Sequence, residues 1–363
     1  MKNTFGNNIS ITLFGESHGA VIGCVLDGVA PGIEVEEDFI ASQMEKRKGI
    51  NSISTPRREG DRVKILSGVF SGKTTGTPIA LVIENESQHS KDYSLTKNLA
   101  RPGHADYTAE CKYHGFQDYR GGGHFSGRIT APIVAAGAIC IKALKRKGIE
   151  IGTHIASCGG IKDREFNNLS EDIPMLEKAE MPTLDEKAGM KMIAVIEKAR
   201  NEGDSVGGVL TTAVTGIPAG VGEPWFDSIE SVLSHALFSV PGVKGVEFGA
   251  GFGFSQMKGS DANDSFFSLD GRVQTKTNNN GGVNGGISNG MPIVFSCAVK
   301  PTPSIFKKQE TVNFKTNENT AIEIKGRHDP AIIHRARVVV DSITAIALCD
   351  LLVTHYGTDW LGA

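Results

Sequence analysis

A chain of 363 residues with 39% hydrophobic content can bury a sizeable core. Its formal net charge is only −3, which gives no global basic field for nucleic acid or an anionic membrane surface. Six scattered cysteines without a CxxC pair argue against structural zinc and a disulfide framework. Together with a polar N-terminus lacking a signal-peptide core, they predict a soluble cytoplasmic protein.

The elements follow in chain order. ISITLFG and AVIGCVLDGV, over 9–29, read as two strands around the turn GESHG. Residues 36–48 form an amphipathic helix burying Phe39, Ile40 and Met44. VKILSGVF and PIALVIE, over 63–84, read as a hairpin with a Gly/Thr-rich turn. An Ala/Ile-rich helix spans 130–147, with Thr130 as N-cap, Pro132 in the first turn and Gly148 closing it. It reads as too short to span a bilayer. Strands follow at 151–158 and 206–215, separated by a polar stretch at 161–184 and an amphipathic helix at 185–201. Asp227 is the expected cap of a helix over 228–238. The polar segment 255–290 reads as a long ordered loop that meets ligand or subunit. A strand at 291–299 leads into KPTPS, and an apolar helix closes the chain at about 330–355. Strands in adjacent pairs separated by helices predict an α+β fold, with antiparallel sheets packed on helices.

Glycine is the compositional outlier, at 44 of 363 residues against a usual ~7%. It clusters where backbone must turn tightly or approach something closely. The densest chemistry lies in 101–128, RPGHADYTAECKYHGFQDYRGGGHFSGR, with three histidines, three arginines and two aspartates. Arginine to clamp phosphate, histidine to move protons and glycine for close approach suit a phosphorylated substrate.

Each motif has a plain reading beside the functional one. GESHG matches GxSxG, but only 14 residues precede it, too few for the strands a nucleophile elbow needs. GVFSGKT at 68–74 has three residues between its glycines where a P-loop needs four, so it reads as a hairpin turn. The basic run 46–62, with Arg57 and Arg58, is either a solvated face or a phosphate loop. In RPGHAD, His104 stands beside Asp106, either as an oriented proton donor or as a surface turn. GGGHFSGR leads into a helix N-terminus, either as an anion site or as a permissive turn. In GRHDP, Asp329 before Pro330 is either a site carboxylate or a helix cap.

Together, FGESHG, RPGHADYT, YRGGG, GDSVGG, GEP, VKGVEFG, GGVNGGISNG, KPTPS and GRHDP resemble the chorismate synthase family, in the family's order from residue 14 to 330. The resemblance implies one domain over 1–363, a β-α-β sandwich of antiparallel sheets around helices, and a homotetramer. It implies conversion of 5-enolpyruvylshikimate 3-phosphate to chorismate and phosphate with reduced FMN. Electrons would come from NADPH or from a separate flavin reductase. His18, His104 and Asp329 match the family's catalytic groups, and an unperturbed histidine is about half protonated near pH 6.5. Ser17, Arg47, Arg101, Ser126, Arg128 and Arg327 match its substrate-binding positions. Arg47, His124, Phe125, Ser126, Pro241, Gly242, Gly285, Lys300, Pro301, Thr302, Pro303, Ser304 and Arg327 match its cofactor contacts. The sequence departs from the commonest pattern at Ile53 and His124, where arginine is usual. It departs also at Ala331, where cysteine is common, and at Pro241-Gly242.

Overall fold

Period-two burial builds the first sheet: Ile22, Cys24 and Leu26 of one strand and Ile79, Leu81 and Ile83 of its neighbour all point into the core. A computed structural model describes residues 2–50, 53–54, 60–85, 97–324 and 328–362. Its first sheet contains β1 (Thr4–Phe5), β2 (Ser10–Gly15), β3 (Val21–Asp27), β4 (Val63–Ile65) and β7 (Ile79–Glu84), in the antiparallel order β1-β2-β3-β7-β4. Helix α1 (Glu37–Glu45) follows β3 and buries Ile40 and Met44, with Phe39 packed partly against the core. The expected hairpin over 63–84 is real but interrupted. VKILSGVF breaks after Ile65, and β5 (Val69–Phe70) pairs with β6 (Lys73–Thr74) across Ser71-Gly72. Both turn residues have positive φ, so GVFSGKT is the hairpin turn expected of it.

Helix α2 (Asp106–Tyr113) and a glycine turn at Arg120–Phe125 precede α3 (Thr130–Arg146). Thr130 is not the N-cap. It is already helical, its hydroxyl donates to Gly127 O at 2.7 Å, and Ser126 instead accepts from Arg128 N. Gly148 closes α3 as expected, at φ +72, with Ile149 N donating to Leu144 O. Then come β8 (Glu150–Cys158), β9 (Ile161–Lys162), α4 (Leu169–Lys178), α5 (Glu186–Asn201), β10 (Gly208–Thr215), α6 (Ile229–Phe238) and β11 (Val243–Phe248). Helix α4 was hidden in the polar stretch 161–184. Ser228, not Asp227, caps α6, because Asp227 lies in a preceding 3-10 turn.

The segment 255–290 is more ordered than a loop. It holds α7 (Gly259–Ala262) and two ribbons, β12 (Phe266–Leu269) with β13 (Arg272–Thr275) and β14 (Val283–Asn284) with β15 (Ile287–Ser288). Asp264 organises it by accepting from Thr277 Oγ1 and from the backbone N–H of Asn279 and Asn280. Strand β16 (Ile293–Val299) completes a second antiparallel sheet, β11-β16-β10-β8-β9. A ribbon of β17 (Gln309–Asn313) and β18 (Glu318–Ile322) leads to α8 (Ile333–Tyr356) and α9 (Asp359–Gly362).

Helices α3 and α8 pack on each other. Helix α3 also lies against β2, β3 and β7, and α8 against β8 and β10. A Cβ at Gly137 would stand 2.6 Å from Ser342 Cα, and the Cys349 thiol reaches Cys140 O. Contacts that advance together along both helices make them parallel, so both N-termini lie at one end. With its preceding turn, the Gly127–Arg146 stretch is long and apolar enough to cross a membrane, contrary to the length expectation. Its surface is instead covered by protein, as in a core helix.

Glycine at 137 is required by this contact. We expect Gly137→Ala to lower stability by about 1–3 kcal/mol, although the same change in an exposed helix adds ~1 kcal/mol. An unchanged or raised urea midpoint would refute the steric account.

Candidate active site

The β2–β3 turn docks on the glycine turn that precedes α3. Ser17 N donates to Gly123 O at 3.1 Å, and His124 Nδ1 lies 2.7 Å from Gly15 O. Gly121 has φ +58, and a Cβ there would lie 2.1 Å from His18 Cε1, so only glycine lets the ring settle on this backbone. Ser17 and His18 are 7% and 6% exposed. The Ser17 hydroxyl is 3.2 Å from His18 Nδ1 and from the carbonyls of Arg120 and Gly121. Because the turn joins two antiparallel strands and no helix follows, it is not a nucleophile elbow. Asp118 holds Arg120 through two bonds of 2.8 and 2.7 Å, and this pairing keeps the Asp118 carboxyl below its usual range.

Two buried guanidiniums converge on one carboxylate. Arg47 Nη1 donates to Asp61 Oδ2 at 2.9 Å, and Arg128 Nη1 pairs with Asp61 Oδ1. Arg128 Nε also donates to Asn85 Oδ1 at 3.1 Å. Two guanidiniums brought this close in a mostly buried place are the kind of group that can clamp an anionic ligand. Arg335 Nε donates to Arg47 O at 2.7 Å, while its Nη1 pairs with Asp329. Asp329 is therefore not the α8 cap: Ile332 holds that position, and the carboxylate is held by a guanidinium one turn into the helix. Next to it, His334 Nε2 meets Ser54 Oγ at 2.8 Å, anchoring the segment after Arg47. Ile53 is fully buried, and so is Ala331; neither departure from the family pattern places a polar group in the site.

The RPGHAD turn docks on KPTPS. Lys300 Nζ donates to Gly103 O at 2.6 Å, and a Cβ at Gly103 would meet Pro303 at 2.7 Å. Asp106 grips Arg101 through both oxygens, at 2.8 and 2.7 Å, rather than orienting His104 as the sequence suggested. His104 is set by Pro102 O at 3.1 Å from Nδ1 and Ser304 Oγ at 2.8 Å from Nε2. A carbonyl only accepts, so Nδ1 carries the proton and Nε2 accepts from the serine. Burial and then Arg101 pull its pKa down to about 4, so it is neutral at pH 7 instead of half protonated near 6.5. Ser205 Oγ donates to Thr302 O, Val206 N to Pro330 O, and Phe306 packs its ring 5.6 Å from His328. These bonds bring GDSVGG, KPTPS and GRHDP together.

The structure thus joins His18, Ser17, His124, Ser126, Arg47 and Arg128 around one set of loops, with Asp329 tied in through Arg335. Arg101, His104 and Lys300–Ser304 form a second set, joined to Asp329 through the Val206–Pro330 bond. Gly242 O accepts from Lys300 N, which places Pro241-Gly242 beside the second set. Phe125 is half exposed against Tyr113. Gly285 is not brought in by its contacts: its ribbon bonds to Val221 and to the start of α6. Arg327, Arg57 and Arg58 lie outside the described residues. Sequence reasoning missed Asp61, Asn85, Arg335, Ser54 and His334. A signal did exist for Asp61, a carboxylate inside a basic run, but weighing the cations alone hid it.

A family model described as chorismate synthase matches residues 9–353. A chorismate synthase of Dehalococcoides mccartyi is 48% identical over 354 residues, covering 97% of this chain and 96% of that one. The chorismate synthase of Thermococcus kodakarensis is 45% identical over 348 residues, covering 96% and 97%. A crystal structure of a chorismate synthase superposes with a TM-score of 0.77 at 28% identity, covering 98% of this chain and 94% of that one.

His104 and His334 both sit near 4, each lowered first by burial. An unfolded histidine titrates near 6.5, so both rings take up protons on unfolding below that value. Their contribution to stability is full above about pH 6.5 and is lost as pH falls through about 4. We expect the double variant His104→Gln/His334→Asn to lose less stability than wild type between pH 6.5 and 4.5 in urea titrations. Equal losses would contradict neutral, buried imidazoles.

Proposed function

The chain belongs to the chorismate synthase family, and we propose that it converts 5-enolpyruvylshikimate 3-phosphate to chorismate and phosphate, the last step of the shikimate pathway. The reaction is an anti-1,4 elimination with bound reduced FMN and no net redox change. The observation that carries this reading is the Arg47–Asp61–Arg128 cluster joined through Asn85 to the turn that carries His18, where a polyanion would meet both cation and acid. The same reading takes the two sheets with α3 and α8 as a β-α-β sandwich, and 1–363 as one cytoplasmic domain.

The residues fit the cofactor on one structural ground. Thr302 Oγ1 is buried without a hydrogen-bond partner among the described residues, in the loop that also presents Lys300, Pro301, Pro303 and Ser304. A polar ligand edge would satisfy it. With Gly242, His124, Phe125 and Ser126, this loop is assigned to hold FMN. Reduced FMN supplies transient electron density that eases departure of the phosphate. NADPH or a separate flavin reductase supplies its electrons.

The protein's own groups then divide the work. Arg47, Arg101, Arg128 and Arg327 bind the phosphate and carboxylates, with Ser17 and Ser126 as hydroxyl contacts. His18 gives a proton to the departing phosphate. His104, neutral with one N–H and one lone pair, tunes the charge beside the cofactor. Asp329, oriented by Arg335, assists removal of the ring proton.

Trp225 and Phe226 are 83% and 90% exposed, beside the Gly285 ribbon. Large exposed aromatics mark association surfaces, and we assign them to the homotetramer. Trp225→Asp/Phe226→Asp should reduce the particle mass in light scattering; an unchanged mass would move the interface elsewhere.

The reading is tested anaerobically, with chemically reduced FMN and 5-enolpyruvylshikimate 3-phosphate, following phosphate and chorismate together. Equal release is expected, abolished with oxidised FMN. His104→Ala and Asp329→Asn should each cut turnover by roughly 10²–10⁴ while FMN still binds. Near-normal turnover in both variants would remove their assigned roles.

A further inference from the structure

A second polar cluster lies behind α1. Helices α1, α3, α4 and α8 and strand β8 border a partly open cavity of about 30 Å³, lined by Gln43, Lys46, Lys145, Glu150, Glu177, Arg337 and Asp341 among others. Arg337 is 3% exposed. One of its Nη atoms donates to Leu176 O at 3.1 Å, but its Nε–H finds no partner among the described residues. Its nearest carboxylate oxygen, on Asp341, is 3.9 Å away, beyond hydrogen-bond reach.

Of the carboxylates around the cavity, Glu177 and Asp341 have hydrogen-bond partners of their own, while both still act on Lys46 and Arg337 through space. Lys145 pairs with Glu177 at 2.7 Å. Asp341 accepts from Thr153 Oγ1 at 2.6 Å, and burial pushes its carboxyl above the usual range. Glu150 lies at the half-buried start of β8. Lys46 donates to the neutral Gln43 Oε1 at 3.0 Å. Burial, and after it Arg337, bring the Lys46 ammonium down to about 8. Two cations that repel each other, with an unmet buried donor, face a space large enough for one or two water-sized atoms.

We propose that this cavity binds a single small monovalent anion of halide size, held by Arg337 and Lys46. The small volume favours a halide over phosphate or an organic carboxylate, and the lining shares no residue with the proposed substrate site. Lys46 directly precedes Arg47, so the bound anion ties the end of α1 to α8 and steadies the backbone that carries Arg47.

The test is a thermal-unfolding titration at constant ionic strength, replacing sodium gluconate with sodium chloride. The wild-type midpoint should rise saturably by about 2 °C or more. Lys46→Met should lose that rise, and so should Arg337→Met where it folds. A wild-type midpoint that does not respond to chloride, or a Lys46→Met response equal to wild type, would overturn the proposal. Crystals grown in bromide should show an anomalous peak between Arg337 and Lys46; water alone at that place would also overturn it.

Discussion

The close parallel contact of α3 with α8 is the constraint on which the site depends. Gly137 has no side chain, and this lets Ser342 approach to a distance that any Cβ would prevent. Because the helices run in the same direction, their N-terminal ends emerge together. Arg128 and the glycine turn precede one of them, and Asp329 precedes the other. Two helix N-termini at one end also add favourable potential for an anion. The charge of the site is thus set by the same packing that forms the core.

Around that end, loops hold one another instead of resting on a sheet. Gly121 admits the His18 ring, Gly103 admits Pro303, and Val206 N bonds to Pro330 O. Each bond ties residues that are far apart in sequence. Closing such contacts costs chain entropy, and the buried core on both sheets offsets it. Arg335 has a central part: one guanidinium fixes both the Asp329 carboxylate and the backbone of Arg47. Arg47 and the Asp329 carboxylate are therefore held by the same side chain.

Much was legible in local pattern. Alternating apolar residues marked β2, β3, β7 and β16, and Gly148 marked the end of α3, because these depend on neighbours within a few residues. The hairpin at Ser71-Gly72 was legible from its turn residues alone. Caps were less so: Ser228 and Asp227 are both good cap residues, and a 3-10 turn decided between them. Helix α4 escaped notice because its apolar face is narrow within a polar stretch.

For this protein the sequence by itself determined most of the longer elements, the order of the motifs and the residue types that make its chemistry. Those are properties of short segments and of side-chain functional groups. Only the tertiary structure decided the partners: Asp61 between Arg47 and Arg128, Asp106 on Arg101 rather than His104, and Arg335 on Asp329. It also decided that His104 is neutral, because a pKa depends on burial and on charges brought close by folding. Such pairings follow from distance in space, which a linear pattern does not encode.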